Sequence, residues 1–124
     1  ISFALELSAE LEASQIEFLG SVWPGHVTVI MQANNSLSQS LKAKDNSIAI
    51  RVSDHLPITN LLNSFNDLMV STSANISNFP TSNSLDEVKK IFDDPDVAVY
   101  AHDNGDALKP SSIIDLKTME YIRE

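Results

Sequence analysis

Residues 47–53 alternate more cleanly than any other stretch of the chain, with Ile48, Ile50 and Val52 on one side and Ala49 and Arg51 on the other. A period of two puts alternate side chains on opposite faces of an extended strand. Such a strand is apolar on one face only, and its backbone donors and acceptors need neighbours. The demand for a sheet therefore comes first, and the rest of the chain has to supply it.

Several segments offer to do so. The β-branched run His26–Gln32 reads as a half- or fully buried strand. Leu68–Ser71 and Val97–Ala101 read as two further short buried strands. Ser111–Leu116 and Met119–Arg123 read as a final antiparallel pair, turned at Lys117-Thr118. Between these lie helical signals. Ser8–Leu19 carries Leu7, Leu11 and Phe18 near one face, and Trp23-Pro24-Gly25 stops it. Leu37 and Leu41 mark a short helical turn, and Pro57 opens a helix through Leu61, Leu62 and Phe65. Ser84-Leu85-Asp86-Glu87 is a capping box for a helix to Phe92, and Asn104-Gly105 marks a turn. Strands interspersed with helices describe an α+β chain of mixed α/β layers, one domain or a piece of one.

Composition narrows the functions. With 8 Lys and Arg against 17 Asp and Glu, the chain is a poor candidate for tight, non-specific grip on nucleic-acid backbones. Without cysteine it has neither a disulfide framework nor thiolate chemistry. No apolar run approaches the roughly 20 residues of a membrane-spanning helix, so no membrane partner is expected and the expected location is cytoplasmic. The opening Ile1-Ser2-Phe3-Ala4 has no starting methionine and no basic region, which suggests a chain cut from a longer one.

Three segments ask for more than packing. Ser71-Thr72-Ser73-Ala74-Asn75 places hydroxyls and an amide where a loop can wrap an anion; the plainer alternative is a turn satisfying its own backbone. Lys109-Pro110-Ser111-Ser112 brings a cation and two hydroxyls into the start of a strand, or leaves the lysine simply solvated. Arg51 presents a planar fork suited to a carboxylate or phosphate, or to an ordinary ion pair. His26, His55 and His102 lack metal-ligand spacing, and Asp93-Asp94-Pro95-Asp96 lacks the Gly and Glu of a calcium loop, so no metal site is expected.

Taken in order, Trp23-Pro24-Gly25-x-x-Thr28, Ile50-Arg51-Val52-x-Asp54-His55, Ser71-Thr72-Ser73-Ala74-Asn75-Ile76-Ser77, Pro110-Ser111-Ser112-Ile113-Ile114-Asp115 and Ile122-Arg123-Glu124 resemble the YrdC/TsaC family of threonylcarbamoyl-AMP synthases. The resemblance spans nearly the whole chain. It implies a twisted mixed sheet with helices on its faces, curled around a deep nucleotide-binding cavity. Residues 1–124 would be the C-terminal part of that single domain. The implied activity condenses L-threonine, bicarbonate and ATP, with Mg²⁺, into threonylcarbamoyl-AMP and pyrophosphate. Partner proteins of tRNA modification then pass the group to N6 of adenosine 37.

Carried over by motif, Ser73 and Asn75 become the Ser-x-Asn half of a catalytic tetrad at the nucleotide phosphates. Arg51 becomes the threonine-side residue, Ser111 and Ser112 line the same cavity, and Arg123 lies against the AMP moiety. Asn78 stands where the family has glycine, and asparagine tolerates the left-handed turn expected there. Ser112 stands where the family has threonine, which keeps the hydroxyl. The tetrad's other half, a Lys-x-Arg motif, occurs nowhere in the sequence, so this chain alone is expected to be inactive. Three rivals share the fold: a YciO-like paralogue, a double-stranded RNA-binding module and a dihydroxybutanone-phosphate synthase. The charge balance disfavours RNA binding beyond a weak one, and the synthase's acidic magnesium motif has no match.

Overall fold

The computed structural model describes residues 1–82, 84–102 and 109–124. They fall into two compact units, Ile1–Thr59 with Leu108–Glu124, and Asn60–Ala107.

The first unit is built on the alternating strand. β1 (Val27–Gln32) and β2 (Ser47–Arg51) pair antiparallel, β1 pairs parallel with β3 (Ser112–Asp115), and β3 pairs antiparallel with β4 (Glu120–Arg123). The sheet order is β2-β1-β3-β4. Register lines up the apolar positions: Val29 stands opposite Ile50 on one side and Ile114 on the other, and Met31 stands opposite Ile48. Val29, Met31, Ile50 and Leu116 form one core cluster with Ala4 of α1 (Ser2–Glu6), Leu19 of α2 (Ala13–Val22) and Trp23. Leu19, Val29 and Ile114 are the largest fully buried side chains among the described residues, each contributing about 1.5–3 kcal/mol on removal from water. The buried Trp23 indole keeps its hydrogen bond, donating to the Val27 carbonyl at 2.9 Å.

The helix expected over Ser8–Leu19 starts later. Ser8 forms an antiparallel bridge with Ala33, Ala9 N–H donates to the Gln32 carbonyl and Asn34 N–H to the Leu7 carbonyl, so this segment runs as an extension beside β1. Gln15 Oε1 then accepts from Glu12 N–H at 3.0 Å, and the helix begins at Ala13. The backbone of Ser8 to Ala9 is already spent on the sheet, and a side-chain cap downstream sets the new start.

In the second unit α3 (Leu56–Phe65, entering from the first unit) carries Pro57 at its second position, and α4 (Leu85–Ile91) is capped by Ser84 Oγ, which accepts from Glu87 N–H. The strands expected at Leu68–Ser71 and Val97–Ala101 are not formed. Leu68, Met69, Val97 and Val99 are exposed and Val70 is 81% exposed. A strand exists only as part of a ladder, and none of these residues has a ladder partner among those described. The turn expected at Asn104-Gly105 lies outside the described residues. No helix among the described residues is long and apolar enough to cross a membrane.

Candidate functional site

The four strands end together. Because β1 and β3 run one way and β2 and β4 the other, the starts of the first pair and the ends of the second share one end of the sheet. The register makes a single row there: Arg51 opposite Thr28, Thr28 opposite Ile113, Ile113 opposite Arg123. At the usual strand spacing the two arginine backbones lie roughly 14 Å apart, with Thr28 and Ile113 between them. Four of the five motifs thus meet at one edge.

Local bonds hold that edge in place. Gly25 N–H donates to the Val52 carbonyl at 2.8 Å, and Arg51 Nε donates to the Gly25 carbonyl at 3.1 Å, stitching the turn before β1 to the end of β2. A Cβ on Gly25 would lie 2.8 Å from the Val22 carbonyl oxygen, so this turn requires glycine. The half-buried Arg51 has its pKa lowered by desolvation, with Asp54 pulling it back up. It keeps its charge at any physiological pH.

Across the sheet, Thr28 Oγ1 and Ser111 Oγ are 2.9 Å apart, and His26 Nε2 lies 2.9 Å from the Lys109 carbonyl, which fixes the Nε2–H tautomer or the imidazolium. Arg123 closes the row from the other edge. Its Nε and Nη2 donate to the Ser111 carbonyl at 3.0 and 2.6 Å, and Nη2 lies 3.4 Å from Ser111 Oγ. A register shift between Ile113 and Ile114 leaves one extra residue on β4 and swings Arg123 to this position. The contacts of Thr28 and His26 join residues 83 positions apart. Thr28 has a sequence signal in its motif; His26 has none beyond its place at the start of a strand-like run.

Ser73 and Asn75 belong to the second unit. Asn75 N–H donates to the Ser73 carbonyl at 3.0 Å, and Phe79 N–H donates to the Ile76 carbonyl at 2.9 Å. Asn78 takes φ 68°, the left-handed turn expected where asparagine replaces glycine. The loop satisfies much of its own backbone, as the plainer reading of this segment has it.

At the far end of the sheet lies a cavity of about 150 Å³ lined by Glu10, Gln15, Met31, Asp45 and Lys117 among others. None of the candidate site residues lines it. Among the described residues no group of three or more His, Cys, Asp or Glu side chains could hold a metal ion.

A family model for Sua5, YciO and YrdC, described as telomere recombination, matches residues 1–124. A threonylcarbamoyl-AMP synthase of Vibrio parahaemolyticus is 34% identical over 94% of this chain and 63% of its own length. One from Serratia proteamaculans is 40% identical over 82% of this chain and 53% of its own. The chain therefore spans at most 63% of the length of these relatives. Among solved structures, Escherichia coli YciO superposes over 97% of this chain and 60% of its own, at 23% identity and a TM-score of 0.80. Sua5 of P. abyssi, complexed with L-threonine, superposes over 94% of this chain and 34% of its own, at 21% identity and a TM-score of 0.74. At these identities the two structures bear on the fold, which is the mixed sheet with helices against it.

Proposed function

Since the chain belongs to the Sua5/YciO/YrdC family, we propose that it carries part of the site of a threonylcarbamoyl-AMP synthase, which condenses L-threonine, bicarbonate and ATP and releases pyrophosphate. The product would serve tRNA modification at adenosine 37 through partner proteins, in the cytoplasm. The observation that carries this reading is the row of Arg51, Thr28, Ile113 and Arg123 at one sheet end, with the Ser111 hydroxyl bonded to Thr28 beside it.

The chemistry needs little more from the protein than alignment and charge. Threonine's amine and bicarbonate give a carbamate with loss of water, and the carbamate oxygen attacks the α-phosphorus as the bond to pyrophosphate breaks. The reactants repel each other, so the task is to hold two anions in line and to stabilise charge developing on phosphate oxygens. Among the described residues Arg51 is anchored through Nε alone, which leaves its terminal nitrogens as a fork for the threonine carboxylate. Thr28 and Ser111 offer hydroxyls to the nucleotide, and Arg123, braced on Ser111, adds charge at the AMP end; Ser112, opposite Val27 and two residues before the buried Ile114, falls on the core face instead. Ser73 and Asn75, in the second unit, keep the phosphate role that the family resemblance implies for their motif. Mg²⁺ enters with ATP as part of the substrate; a donor set of hydroxyls and guanidinium suits phosphate oxygens better than a hard-metal cage.

The test is direct. The whole polypeptide carrying residues 1–124 is incubated with ATP, Mg²⁺, bicarbonate and L-threonine. Pyrophosphate and threonylcarbamoyl-AMP should appear, and omission of threonine should abolish both. Arg51→Lys should raise the threonine requirement about tenfold and the ATP requirement much less. Absence of turnover would favour the YciO-like alternative, and an equal effect on both substrates would return Arg51 to a structural ion pair.

A further inference from the structure

The segment that leads into β3 has little backbone to hold it. Pro110 carries no N–H, and the first backbone bond that ties this stretch to the sheet is the one Ser112 N–H donates to the His26 carbonyl at 3.2 Å. Ahead of it, side chains from the two flanking strands do the holding. Arg123 of β4 donates to the Ser111 carbonyl through Nε and Nη2. From the other side His26, the residue before β1, meets the Lys109 carbonyl with Nε2 at 2.9 Å. Lys109 and Pro110 make no other hydrogen bond among the described residues. The backbone and the ring of His26 thus take hold of one segment at points three residues apart. Thr28 adds the contact of its hydroxyl with Ser111 Oγ at 2.9 Å.

We propose that His26 is a positioning residue for the nucleotide end of the site: its imidazole N–H clamps the Lys109 carbonyl and thereby sets Ser111, which Thr28 and Arg123 both use. Pro110 transmits the clamp, because its ring fixes φ at about −65° and leaves the path from Lys109 to Ser111 few ways to bend. Released at Lys109, the segment would carry the Ser111 carbonyl and hydroxyl away from both partners together. The clamp asks only for a donor, and the imidazole offers one at Nε2 both as the Nε2–H tautomer and as the imidazolium. The threonine end is anchored separately. Arg51 Nε donates to the Gly25 carbonyl and Gly25 N–H to the Val52 carbonyl, neither through the His26 side chain. The role, though not the clamp, rests on the functional reading above, in which Ser111 and Arg123 meet nucleotide.

Two variants of the whole polypeptide that carries residues 1–124 decide it. His26→Phe keeps a ring and removes the donor, whereas His26→Gln returns an amide N–H near the place of Nε2. His26 is exposed, so neither change disturbs the core. Without ligand, the Arg123 Nε–H should exchange with solvent about threefold to tenfold faster in His26→Phe than in the parent protein, and His26→Gln should bring it back to within about twofold. In turnover, His26→Phe should raise the KM for ATP by about threefold to tenfold and that for threonine by less than about twofold, with His26→Gln again restoring the parent value. Unchanged exchange in His26→Phe, or no rescue by His26→Gln, would overturn the clamp. An equal rise in both KM values would overturn the assignment to the nucleotide end. If the parent protein releases no pyrophosphate, the functional reading fails, and the Arg123 exchange rates still decide the clamp.

Discussion

The two units share a sequence style and differ in what their apolar residues achieve. Every buried side chain among the described residues lies in the first unit, at positions such as Leu19, Val29 and Ile114. The second unit has Leu68, Met69, Val70, Val97 and Val99, as β-prone as anything in β1, and all are exposed. Composition is therefore not what separates them. The first unit's strands find ladder partners within the chain, which lets an apolar face close on α1 and α2. Burial follows pairing, and propensity alone secures neither.

This contrast is most exposed to mutation at its extremes. Trp23→Ala removes a buried indole from the core cluster and should cost about 3–5 kcal/mol. Val70→Thr, at a side chain 81% exposed, should move stability by no more than about 0.5 kcal/mol. Urea unfolding of both variants checks the pair. A Val70 effect rivalling that of Trp23 would mean that the second unit buries its apolar residues in solution, and the contrast between the units would fall.

Gly25→Ala comes next, with an expected cost of about 1–3 kcal/mol. The new Cβ, 2.8 Å from the Val22 carbonyl oxygen, forces the turn to shift and with it the carbonyl that anchors Arg51. Thermal unfolding reads the stability, and calorimetric titration with L-threonine reads the site. Proposed binding through Arg51 requires both to suffer; intact threonine affinity in a destabilised protein would separate Arg51 from the turn.

The second unit does contain one feature that stands on local chemistry alone, the Ser84 cap on α4. Ser84→Ala should cost about 1 kcal/mol locally, seen as faster amide exchange over Leu85–Ile91 with little change in the first unit. Faster exchange in β1 or β2 as well would overturn the local reading of the cap.

What was legible in the sequence divides along the same line. The β2 strand, the turn at Trp23-Pro24-Gly25, the capped α4 and the β3–β4 pair all carry their signal within a few residues, and all are formed. The missing strands at Leu68–Ser71 and Val97–Ala101 depended on partners no local pattern encodes. Ser8 left a helix for a bridge to Ala33, a choice made by a distant strand end. In the site, Arg51 could be placed on its face by period alone. The Thr28–Ser111 and His26–Lys109 contacts depend on the parallel pairing of β1 with β3, which the sequence does not announce. Asn75 was legible as a polar loop residue, but the bonds its amide donates to the Ile76 and Phe79 carbonyls are a matter of conformation.

The smallest effect tests the entry to β2. Asp45 Oδ1 accepts from Ser47 Oγ at 2.7 Å and from Ser47 N–H at 3.1 Å, holding the turn in which Asn46 adopts φ 63°. These bonds, led by the Ser47 hydroxyl, lower the carboxyl pKa below its ordinary 3.8. A depressed carboxyl favours the folded state when ionised. Its contribution is therefore fully present above the unfolded value and is lost as pH falls through the lower folded value. Asp45→Asn keeps the acceptor and removes the titration. The urea midpoints of the two proteins, followed from about pH 6 to about pH 3, should differ by a constant until the ordinary carboxylate range. Below it the wild-type advantage should shrink. A gap that widens on acidification would reverse the sign and show that Asp45 is held by desolvation, with its bonds to Ser47 the weaker influence.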